Sequence, residues 1–247
     1  PFEPVVKTTE AHPQGAIYAR GACDDKGQVY MHVKALEMML FNQDLPCNIK
    51  VIIEGEEEVG SANLGNFLTE YKEKLKADVI LISDTGIINN ETPCITNGLR
   101  GLCYMEVEVV GPNRDLHSGI YGGAVHNPAI VLSELIAGMH DKNGSITLPG
   151  FYDRVRKLSP RERRQLAKLP ITDAKIVEQT GVSQVYGERK FTTNERMGSR
   201  PSLDVNGFYS GFTGTGPKTI IPAYAMAKIS MRLVPDQKAF EIREMLV

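Results

Sequence analysis

Two periods alternate along the first third of the chain. From Gly27 to Phe41 the apolar residues Val29, Val33, Leu36, Met39 and Leu40 recur at helical spacing, and Ile49 to Ile53 follows as a short, almost wholly apolar run of the kind a buried strand shows. The helical period returns from Asn63 to Lys76, and a second buried-strand run, Asp78 to Ile82, ends on Ser83-Asp84-Thr85-Gly86. Helix and strand in this order predict an α/β layer with a mainly parallel sheet, in which ligands collect at the carboxyl ends of strands. After Gly98 the texture changes. Cys103 to Val109 and Ala225 to Val234 alternate polar and apolar, as strands with one wet face do, and a helix is expected over Pro128 to Met139. A second domain of α+β type with an antiparallel sheet therefore starts near Asn97, dividing the chain into residues 1–97 and 98–247. Leu148 to Arg200 carries proline and arginine without a clear period.

Charge and composition narrow the partners. Lys and Arg total 28 against 30 Asp and Glu, a net charge of -2, and no long basic run or stripe exists to meet nucleic acid or an anionic membrane. The densest basic stretch, Arg154 to Lys168, is interrupted by Leu158, Glu162 and Leu166 and reads as a solvated helix face. Cys23, Cys47, Cys94 and Cys103 are scattered without a C-x-x-C pair, which predicts buried thiols in a reducing compartment. No apolar run approaches a membrane span, and Pro1 to Lys7 lacks the regions of a signal peptide, so a cytoplasmic location is expected. The chain opens on Pro1 and stops at Val247 inside a helical pattern, as the central part of a longer protein would.

Three acidic clusters sit at the edges of these elements: Asp24-Asp25, Glu56-Glu57-Glu58 and Asp84. Any one alone is an ordinary cap or turn. Brought together at strand ends, they would repel one another and call for a cation, and two divalent ions about 3.5 to 4 Å apart are a standard device for activating water and polarising a carbonyl.

The stretches Tyr18-Ala19-Arg20-Gly21-Ala22-Cys23-Asp24-Asp25-Lys26-Gly27, Glu54 to Ser61, Ile82-Ser83-Asp84, Asp115 to Gly123 and Lys218-Thr219-Ile220-Ile221-Pro222 resemble those of the carnosinase-type and cytosolic nonspecific dipeptidases, within the di-zinc aminoacylase and carboxypeptidase clan. The likeness runs in the same order from end to end. It implies a metallopeptidase catalytic domain followed by a lid or dimerisation domain, two divalent ions, zinc or manganese, a small peptide substrate and a homodimer formed through the lid. Residue by residue, Asp24 matches the carboxylate bridging both metals, and Asp24-Asp25 matches a peptide bond that is cis in such enzymes. Glu57 matches the general base, Glu58 a ligand of one metal and Asp84 a ligand of the other; Glu56 and Glu57 are the alternative pair for the first two roles. His117 matches a histidine that reaches the other subunit's active site and polarises the scissile carbonyl. Thr219 and Arg232 match substrate-holding positions, Arg232 having the rigid fork that pairs with a carboxylate. The opposing reading makes His117 a turn residue and Arg232 a polar-face residue of its strand.

The sequence departs from that pattern in two places. A His-x-Asp motif ahead of the first matched segment and a metal-binding histidine near the end are absent, and His12, His32, His126 and His140 stand in no matching context. The chain alone is therefore expected to bind metal weakly and to be inactive. Hydrolysis of dipeptides is the leading expectation, with deacylation of N-acyl amino acids or a non-catalytic, truncated dimerisation module as alternatives. Gly211 to Thr219 is no phosphate loop, since Pro217 replaces the required glycine, and Ser118 lacks the G-x-S-x-G elbow of a serine hydrolase.

Overall fold

The computed structural model describes residues 1–89, 91–92, 94–96 and 98–246. It forms two compact units, residues 1–92 and 93–247; Asn97, where the second domain is expected to begin, lies outside the described residues. No helix among the described residues is long and apolar enough to cross a membrane.

The first unit opens with a hairpin of β1 (Val5–Lys7) and β2 (Ala16–Tyr18). A wide turn at residues 22–26, in which Asp24 and Asp25 leave helical geometry, feeds α1 (Gly27–Phe41), the span its period predicts. The helix expected over Asn63 to Lys76 is divided at Tyr71 into α2 (Leu64–Glu70) and α3 (Lys72–Leu75). The two expected buried strands do not form. Residues 49–53 and 78–82 carry no ladder, and Val79, Ile80, Leu81 and Ile82 are 75 to 81% exposed. An apolar run records a demand for cover on both faces; pairing itself needs a neighbouring strand, and among the described residues this unit has no strand besides β1 and β2, which pair with each other. Every ladder among the described residues is antiparallel.

The second unit is built on three strands in the order β3-β7-β5, namely β3 (Gly101–Val110), β5 (Ser202–Ser210) and the central β7 (Tyr224–Leu233). Strict alternation along β7 puts Ala225, Ala227, Ile229, Met231 and Leu233 on one buried face. Two helices, α5 (Pro128–Gly138) and α9 (Ala239–Glu244), pack on the sheet. Leu132 of α5 and Phe151 are fully buried with Ile229 and Met231; each such side chain contributes about 1.5–3 kcal/mol by leaving water. Asn127 caps α5, accepting from the Ala129 amide at 2.9 Å, with Pro128 at the first helical position where no amide is needed. A second small ladder joins β4 (Leu116–His117) to β6 (Ile220–Ile221), and β4 runs into α4 (Ser118–Tyr121).

Only Pro160–Leu166 (α6) of the basic stretch is helical, held by a Ser159/Glu162 capping box. Three of its charges meet carboxylates, Arg156 with Glu162, Arg163 with Glu195 and Arg154 with Glu241. Two further helices, α7 (Asp173–Thr180) and α8 (Thr193–Ser199), lead to β5. At that junction Arg200 meets Glu188 in a two-pronged pair, Nε to Oε2 at 2.6 Å and Nη2 to Oε1 at 2.7 Å. Of the cysteines only Cys103 is buried. Cys23, Cys47 and Cys94 are exposed, contrary to the expectation of buried thiols, because their segments lie outside the sheet-and-helix core.

Candidate active site

In the first unit, Asp24 lies in the turn ahead of α1, in backbone that is extended (φ −137, ψ 91), and the Asp24-Asp25 peptide bond is cis. Glu57 and Glu58 open a tight 3-10 turn, Glu57–Val59, which Gly60 closes at φ 92, a conformation that glycine takes without a Cβ clash. Asp84 follows the apolar run 78–82. Three separate segments therefore carry the acidic residues, and they share one electrostatic neighbourhood. Partial loss of hydration, then repulsion from Glu58, Asp84, Asp24 and Glu54, pushes the Glu57 carboxyl above the ordinary glutamate range. Glu56 is engaged otherwise: its carboxylate accepts from the Asn63 side-chain amide at 2.8 and 3.0 Å and from the Asn63 backbone amide at 3.2 Å.

A divalent cation fits this donor set in kind. The repulsion felt by Glu57 is relieved by a positive ion, and oxygen donors accept zinc or manganese. Among the described residues no three His, Cys, Asp or Glu side chains close around a common point.

Helix α1 contributes two residues that the sequence did not single out as functional. The Gln28 side-chain amide donates to the carbonyl of Cys23 at 2.6 Å and to that of Thr85 at 3.2 Å. His32 Nε2 lies 2.7 Å from Ser83 Oγ. No sequence signal marks Gln28, whose partners are main-chain carbonyls.

In the second unit, His117 ends β4 and caps α4. Its Nδ1 accepts from the Gly119 amide at 3.0 Å, so in the neutral ring the proton sits on Nε2, a donor. The β4/β6 ladder sets Thr219 beside it, with the Ser118 amide donating to the Thr219 carbonyl at 2.9 Å. Arg232 stands apart from this pair, on the open face of β7 opposite Leu102 and Ser202, and is exposed. Burial and then the charge of Arg232 lower the basicity of Arg100, Asp204 acting the other way, which makes that end of the sheet a place where two guanidiniums lie near one another. In one unit Asp24, Glu58 and Asp84 lie near enough to act electrostatically on Glu57 without closing around a common point among the described residues; in the other His117 stands beside Thr219, while Arg232 lies on a separate sheet.

Peptidase family M20/M25/M40 matches residues 1–236. The chain is 35% identical over 237 residues to the Cys-Gly metallodipeptidase dug1 of Schizosaccharomyces pombe, covering 94% of this chain and 50% of that one. It is also 35% identical over 233 residues to the Beta-Ala-His dipeptidase of Homo sapiens, covering 93% and 46%. Among solved structures it resembles an M20 family metallo-carboxypeptidase from Sulfolobus solfataricus, with a TM-score of 0.81 at 35% identity over 96% of this chain and 55% of that one. Human carnosine dipeptidase 1 is similar with a TM-score of 0.76 at 33% identity, over 98% and 51%. The chain spans about half the length of the curated relatives it matches.

Proposed function

The chain belongs to peptidase family M20/M25/M40, and from that premise we propose that the protein carrying it hydrolyses dipeptides with the help of two divalent metal ions, zinc or manganese. The repulsion that Asp24, Glu58 and Asp84, carried on three separate segments, exert on Glu57 supports the reading. It is supported by the relatives named as dipeptidases. Asp24, Glu58 and Asp84 would hold the ions. When bound, the ions supply Lewis acidity to the scissile carbonyl and lower the pKa of water.

The remaining steps fall to the protein. Glu57, whose carboxyl already favours its proton more than an ordinary glutamate, takes one from the attacking water and passes it to the leaving amine. The side-chain bonds that occupy Glu56 support Glu57 for this role and Glu58 as the ligand. His117 Nε2–H donates to the carbonyl oxygen as negative charge develops there. Thr219 orients the peptide, and the Arg232 guanidinium pairs with its terminal carboxylate. In this reading residues 1–97 belong to the catalytic domain and residues 98–247 to a lid that pairs two subunits, with His117 serving the partner's site.

Chelation tests it. Cys-Gly and Ala-Gly hydrolysis by the protein should vanish in low-millimolar EDTA and return with zinc or manganese. Hydrolysis that survives prolonged chelation refutes the metal reading.

A further inference from the structure

We propose that Gln28 and His32 are positioning residues which tie the two acidic segments to one face of α1 and so set the spacing of Asp24 and Asp84. The inference rests on the metal reading above and adds to it the means by which the two carboxylates are held.

Residues 28 and 32 are four apart in a helix and therefore point from the same face. Both reach the segment around Asp84. Gln28 bonds the carbonyl of Thr85, the residue after it, and His32 bonds the hydroxyl of Ser83, the residue before it. The same Gln28 nitrogen also bonds the carbonyl of Cys23, the residue before Asp24. A primary amide has two N–H groups, so each hydrogen has its own acceptor and one planar group joins Cys23 to Thr85. Residues 78–82 have no ladder to hold them among the described residues. The tie between Asp84 and α1 then runs through these side chains, and their loss frees Asp84 to drift relative to Asp24. Partners that orient metal ligands in this way are worth about 10–100-fold in metal affinity.

The test uses the metal-loaded protein with Mn(II) as probe, read by electron paramagnetic resonance, since magnetic coupling between two manganese ions depends on their separation. Gln28→Met keeps the volume and loses both N–H groups. His32→Leu loses the bond to Ser83, whereas His32→Gln keeps a nitrogen in the Nε2 position. Gln28→Met and His32→Leu are expected to lose the coupled signal and to bind the weaker manganese about 10–100-fold less tightly, with His32→Gln close to the parent. A role in stability alone would lower the melting temperature of both variants and leave the coupled signal of the folded fraction intact; that outcome overturns the proposal. If Gln28→Met does not fold, the contrast between His32→Leu and His32→Gln decides. A parent protein that binds no manganese removes the metal reading and this inference together, whereas a coupled parent with unchanged variants removes the inference alone.

Discussion

Removing the carboxylate of Glu188 should cost the second unit about 3–5 kcal/mol. The Arg200 and Glu188 side chains are only 12% and 10% exposed. The guanidinium carbon lies 4.1 Å from the centre of the Phe191 ring and 5.1 Å from that of Tyr152, so little water can replace the lost partner. Glu188→Ala leaves a charge among aromatic faces, which is the costly way to break such a pair. Arg200→Met in the same background removes that stranded charge, and the double variant should recover part of the loss, with a coupling of about 0.5–3 kcal/mol. Lys228 and Glu106, 44% and 51% exposed, provide the internal comparison; breaking that pair should cost no more than about 1 kcal/mol. Urea unfolding followed by near-ultraviolet circular dichroism suits the measurement, because the chain has nine tyrosines and no tryptophan. A Glu188→Ala cost as small as that of the exposed pair, or a double variant whose loss equals the sum of the singles, would refute the reasoning.

Two more outcomes follow from the same unit. Burial pushes the Tyr152 phenol up to about 12 from its ordinary 10, so the stability it contributes is complete below pH 10 and fades as pH rises through 12; the difference in phenolate absorbance between parent and Tyr152→Phe should titrate near 12, and a midpoint at 10 contradicts the burial argument. Leu132→Ala, at a fully buried position between α5 and the sheet, should cost about 2–5 kcal/mol in urea unfolding, and a loss within about 0.5 kcal/mol would place Leu132 effectively at the surface.

What was legible in the sequence depended on how local the cause was. The bounds of α1 follow from its own period, β3 and β7 from their own alternation, and the start of α5 from Asn127 and Pro128. The runs 49–53 and 78–82 misled because continuous apolar character reports a need for cover, whereas a strand exists only where a second backbone pairs with it. The short β4/β6 ladder that sets Thr219 beside His117 joins residues about a hundred positions apart through two paired residues, too little to leave a pattern. The acidic residues were visible as candidates by type and by family likeness. Gln28 was not, since a main-chain carbonyl is available at every position and marks none of them. His32 looked ordinary for a related reason: its partner is a serine with no fixed spacing to it.

The exposed run Val79-Ile80-Leu81-Ile82 has a bearing on how this 247-residue chain behaves in the test tube. Four consecutive β-prone residues in the open form a template for self-association into sheet aggregates. Asp78 and Asp84, near its two ends, are the flanking charges that discourage such stacking. In the proposed function Asp84 would also hold a metal ion, so neutralising it to probe metal binding would at the same time remove a guard against precipitation. An Asp84→Asn sample that has lost activity has to be checked by light scattering first, because turbidity and loss of a ligand would give the same blank assay.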